Sequence, residues 1–217
     1  MMTEIKKCLK ICKYGFQLKT NIVAGLIFMA LGLLMLFIGD GYSALLGIFY
    51  LALVPLYIAQ ISCSVLYSNM LLSSSLRKAL DGSFPNVWGA VASAFAFVMT
   101  YVGLLVNPNM RTVSVAESGN NMIAAGIAIA AIMIYMGVVY KFFIGSIVVF
   151  SIITIGVMAG GCILLEMVQP TSLLVGSIIG LLIAVAGNVL GCVLRAAVYK
   201  YSMDPLAGGA SLRKALK

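Results

Sequence analysis

The chain has no histidine. That removes the usual general base, the histidine-dependent nucleophilic triads and most transition-metal sites. Charge is nearly as scarce, at 9% of 217 residues, where a soluble domain carries roughly a quarter. Only six residues are acidic, and no two of them share an apolar run, so intramembrane aspartyl chemistry has no residues to use. A GxxxxGK[ST] stretch is also missing, and with it a phosphate-binding loop. The five cysteines, Cys8, Cys12, Cys63, Cys162 and Cys192, lack zinc-type spacing, and an odd number scattered through apolar sequence is no disulfide framework. These absences predict a protein that is not an enzyme and that binds no metal or cofactor itself.

Apolar sequence fills the space that charge leaves. Hydrophobic residues make up 63% of the chain and the mean hydropathy is +1.13, so we expect an all-α integral membrane protein with a single transmembrane domain over 1–217. A bilayer core needs about 20 apolar residues per helix. Six such runs are predicted to span it, at Ile22 to Gly39, Leu45 to Tyr67, Val87 to Val106, Met122 to Tyr140, Phe142 to Leu165 and Leu173 to Leu194. The basic lead before the first run imitates a secretory signal, but the run is too long for one and more spans follow it, so it is expected to stay as a helix.

Basic residues are retained on the cytoplasmic side. With both termini inside, every Lys and Arg except Arg111 falls on inner segments, thirteen of the fourteen. The net charge of +8 then reads as topology and attraction to anionic membrane lipids. No basic domain with interleaved aromatics is present, so nucleic acid is not an expected partner.

Two inner segments carry structure of their own. Over residues 4–20, Ile5, Cys8, Leu9, Cys12 and Phe16 fall on one helical face and Lys6, Lys10, Lys13 and Gln17 on the other, which predicts an amphipathic elbow helix in the headgroup layer. Cys8 and Cys12 are expected to be buried small hydrophobes rather than acylation sites. Between spans two and three, Leu71 to Pro85 predicts a short surface helix, with N-cap oxygens from Ser73 to Ser75, Leu76 and Leu80 sharing a face, Arg77 and Lys78 turned to cytosol or lipid phosphate, and Gly82 and Pro85 as terminators. Its core, SLRKAL, recurs at Ser211 to Leu216 in the tail over 195–217. Within the spans the polar residues are neutral, Gln60 and Asn188 among them. Glycines four apart, as at Gly187 and Gly191, are spaced for close helix contact between spans or between subunits, with Asn188 expected to make an interhelical hydrogen bond.

An elbow, six spans with both ends inside and a short helix between spans two and three together resemble the membrane subunit of an ABC-2 type ABC transporter. The stretch from Ser74 to Pro85 looks like that of small bacterial members, and so does the tail from Tyr199 to Pro205 and from Ser211 to Lys214. The resemblance implies a permease in the bacterial cytoplasmic membrane, working as a homodimer or heterodimer with a cytoplasmic ABC ATPase subunit that hydrolyses the ATP. It also implies that Ser75, Leu76, Arg77, Lys78, Leu80 and Asp81 form the coupling helix, with Leu76 and Leu80 seated in an apolar groove of the ATPase. Gln60, Gly187, Asn188 and Gly191 remain helix-packing or pathway residues. Two other readings fit the composition, a six-span substrate-binding module of a vitamin importer and a membrane assembly protein that transports nothing.

Overall fold

A computed structural model describes residues 2–15, 18–66, 75–108, 117–142, 144–145, 147–152, 154–156 and 171–201. Among them the regular structure is helical throughout: α1 (Met2–Cys12), α2 (Leu18–Ile38), α3 (Gly41–Leu66), α4 (Phe84–Val106), α5 (Glu117–Val138) and α6 (Leu173–Val198). Five of these, α2 to α6, are long and apolar enough to cross a membrane. The chain is therefore a multi-pass membrane protein, with five such helices among the described residues where the sequence predicts six. The remaining predicted span, 142–165, is helical over Ile147–Gly156, and its second half lies outside the described residues.

The lipid-facing elements are recognisable by what they leave bare. On α2, Ile22, Val23, Leu26, Ile27, Leu31 and Leu34 are all exposed, and a helix that is apolar all round suits hydrocarbon on one side and protein on the other. α2 packs on α3 where two glycines coincide. A Cβ on Gly32 would stand 3.0 Å from the Gly47 carbonyl oxygen, and one on Gly47 would stand 2.7 Å from that of Gly32. α3 runs for 26 residues with Pro55 inside it. Membrane helices tolerate such a proline because neighbours satisfy the freed carbonyl.

The tightest seam joins α5 and α6. Gly176, Gly180, Ala184, Gly187 and Gly191 form the buried edge of α6. Backbone atoms of Gly119, Met122, Ala130 and Met133 on α5 occupy the space that side chains at Gly176, Gly180, Gly187 and Gly191 would need. The glycine spacing therefore serves contact within one chain.

The helix predicted over 4–20 ends at Cys12, α2 and α3 begin four residues before the predicted spans, at Leu18 and Gly41, and three further boundaries differ for local reasons. Gly82 and Pro85 do not end a helix. The chain passes through a π-helical turn at Ala79–Ser83 directly into α4, with Phe84 N–H donating to the Ala79 carbonyl. Pro85 sits at the first helical positions of α4, where a missing N–H costs nothing. α5 begins at Glu117, so Asn120 and Asn121 are buried in it rather than set in a loop. α6 continues to Val198, which places Arg195 in its last turn rather than in the tail. On α1, Cys8 and Cys12 are buried as expected, while Leu9 stays exposed.

Candidate functional site

One end of the bundle gathers most of its buried charge. Cys8 and Cys12 of α1, Val65 and Leu66 of α3, Ala79 and Leu80 of the π turn, and Phe84 of α4 form a small apolar cluster there. Beside it, Lys141 Nζ donates to Asp81 Oδ2 at 2.9 Å, with both side chains buried. Burying either ion alone costs several kcal/mol, which only a well-placed opposite charge offsets. The pair ties the π turn to the corner that follows α5.

Two further contacts complete the tie. Arg195 donates through its guanidinium to the Met136 carbonyl at 2.6 Å. Met136 lies in the last turn of α5, where carbonyls have no partner within the helix, so α6 caps α5. Just past α6, the Tyr199 ring lies 5.6 Å from Arg77 Cζ and 6.0 Å from Lys141 Nζ, within the range of cation–π attraction. The segment around 77–81, the end of α5 and the end of α6 thus form one cross-linked unit.

The candidate coupling residues divide within this unit. Ser75 and Lys78 are exposed, and Leu76 and Arg77 are half-buried. Leu80 is 0% exposed. An apolar face shared by Leu76 and Leu80 is therefore not open to a partner, because Leu80 fills the cluster between α1, α3 and α4. Asp81 faces inward to Lys141, not outward. The second SLRKAL copy lies outside the described residues.

The other candidates are dispersed. Gly187 and Gly191 belong to the α5–α6 seam, and Gln60 is half-buried in α3. Asn188 does not bridge helices through its amide nitrogen, which donates to the Ala184 carbonyl of its own helix at 2.8 Å. Among the described residues no group of three or more Cys, Asp or Glu side chains converges to hold a metal ion.

Lys141 and Asn107 were not singled out from sequence, and Tyr199 only as the first residue of the tail stretch. Lys141 carried a usable signal, since it is a lone cation between two apolar runs and Asp81 is the only carboxylate in the loop on the same predicted side. Asn107 gave none. Fully buried, it donates to the carbonyls of Leu36 and Gly39 at 2.8 Å each and so caps α2 from the end of α4.

The chain matches no protein-family model, no curated protein and no solved structure.

Proposed function

We propose that the chain is the membrane-spanning permease subunit of an ABC-type transporter, energised by a separate cytoplasmic ATPase that hydrolyses the ATP. In this reading it crosses the bacterial cytoplasmic membrane six times with both termini inside, α1 lies in the inner headgroup layer as an elbow, and the subunit pairs with an identical or related permease. One observation carries the reading. The segment that starts at exposed Ser75 runs without a break into α4 and is locked to the α5 corner by Asp81 and Lys141. A short element held this stiffly passes a push from the cytosol into the spans rather than absorbing it. The ATPase would meet Ser75, Lys78 and the open edge of Arg77, while Leu80 and Asp81 act from within.

The test uses the exposed positions, since a charge at Leu80 would damage the core instead. The full chain is purified in mild detergent together with the products of its neighbouring genes. An ATP-binding subunit is expected to co-purify with the native chain and to be lost with Ser75→Glu and Lys78→Glu combined, while the melting temperature is kept. Unchanged co-purification removes the coupling role. A tightly held small molecule with no ATPase would instead support the substrate-binding module.

A further inference from the structure

A cleft of about 280 Å³ opens beside the last turns of α5. Val138, Phe142, Gly145 and Val149 line it, and the rings of Tyr135 and Phe150, stacked at 4.2 Å, form its inner wall. The volume is close to the lower end of the range for ligand pockets, roughly 300–1,000 Å³. No described part of the chain covers it, for Phe142 is 45% and Val149 56% exposed.

Its place relative to charge decides what fits. The lining reaches from Ile134 on α5 to Phe142, the neighbour of Lys141 in the buried pair, so the cleft begins at the charged end and runs into the apolar part of the bundle. At its mouth the Phe142 ring meets the Tyr201 ring at 5.4 Å, and Lys200 Nζ lies 5.3 Å from that same Tyr201 ring. Lys200 is exposed. The nearby Asp81 is already neutralised by Lys141, so among the described residues the open charge beside the mouth is positive. Tyr201 adds an amphipathic ring of the type that sits at headgroup level.

We propose that this cleft holds one acyl chain of an anionic phospholipid, with the lipid phosphate at Lys200. An apolar slot alone would not choose among lipids. The ammonium at its mouth selects the anionic ones and sets the depth at which the chain enters. The proposal needs only that the chain lies in a bilayer, and it stands apart from any partner ATPase.

Native mass spectrometry of the full chain, with phosphatidylglycerol and phosphatidylcholine of the same acyl chains added in turn, tests it. The native protein is expected to retain one phosphatidylglycerol in preference to phosphatidylcholine. A Cβ at Gly145 meets nothing within 4 Å, so Gly145→Phe places a ring in the slot and is expected to lose the retained lipid; Val149→Trp, four residues further along the same segment and also lining the cleft, should do the same. Lys200→Gln is expected to keep a lipid but lower the anionic preference about fivefold, equivalent to about 1 kcal/mol for one basic residue at the surface. Equal retention of both lipids by the native chain, or undiminished phosphatidylglycerol on both filled variants, overturns the proposal. So does a dimer that Gly145→Phe converts to monomer, since a second copy would then be the occupant.

Discussion

Asp81 and Lys141 stand 60 residues apart in the chain and 2.9 Å apart in space, and they are the acid and the base of one buried pair. The consequence is mechanical. The π turn that leads into α4 is fixed to the corner after α5, and Tyr199 brings the end of α6 to the same point through Arg77 and Lys141.

Removing one member of a buried pair leaves the other charge uncompensated, which typically costs about 3–5 kcal/mol, while replacing both by apolar groups is often neutral. Asp81→Ala or Lys141→Met alone is therefore expected to lower the melting temperature in detergent sharply. Asp81→Leu with Lys141→Met should recover most of the loss. A double variant as unstable as the singles would show that the pair contributes through something other than charge.

Gly187 on α6 and Gly156, at the end of the helical stretch Ile147–Gly156, make a controlled comparison. A Cβ at Gly187 would run into the backbone of Ala130, while one at Gly156 meets nothing within 4 Å. Overpacking a closed contact costs about 1–3 kcal/mol and sometimes more. Gly187→Leu is expected to destabilise the folded chain by at least that amount, measured by thermal unfolding in detergent, and Gly156→Leu by almost nothing. Similar effects from the two substitutions would mean that the seam is looser than its glycines indicate.

These two relationships mark where sequence reading stops. Length and apolarity made α2, α3 and α6 legible to within four residues at either end, because hydrocarbon thickness and backbone satisfaction leave a spanning segment few alternatives. The buried face of α1 was legible too, from the spacing of Ile5, Cys8 and Cys12. Gly82 and Pro85 misled, since both residues stop many helices yet a π turn accommodates the one and a first helical turn the other. The glycines of α6 announced a close contact but not its partner, which depends on how α5 folds back. Leu80 announced an apolar face but not which surface would cover it. Asp81 with Lys141, and Asn107 with Leu36, are long-range pairs that no local pattern encodes.

Asn107 gives a test of the opposite end of the bundle. Its amide nitrogen serves two carbonyls, those of Leu36 and Gly39, and a buried acceptor left unpaired costs about 1–3 kcal/mol. Asn107→Ala is expected to destabilise the chain by an amount in that range. Asn107→Asp should be worse, because it points an acceptor at two acceptors. If the aspartate variant is as stable as the native chain in denaturant titrations at neutral pH, the cap does not hold α2 to α4.

The thiols of α1 predict a pH dependence of definite sign. Burial raises Cys12 to about 12, with the neighbouring Cys8 adding to the shift. Cys8 is raised as well, by burial first and then by Glu4. Both groups therefore favour the protonated thiol in the folded chain. In the unfolded chain they ionise near the ordinary thiol value of 9.0. Between that value and about 12 the unfolded state has released protons that the folded state still binds, and stability must fall as pH rises through this window. Lysines and tyrosines titrate there too, so the informative quantity is a difference. The native chain is expected to lose more melting temperature between pH 8 and about pH 10.5 than Cys8→Ala with Cys12→Ala, the window lying between the unfolded and folded thiol values. The same burial makes both thiols slow to alkylate at pH 8 until the chain unfolds, since the thiolate is the reacting form. Rapid labelling of Cys12 in the folded protein, or equal pH slopes for the two chains, would place α1 away from α3 and the π turn.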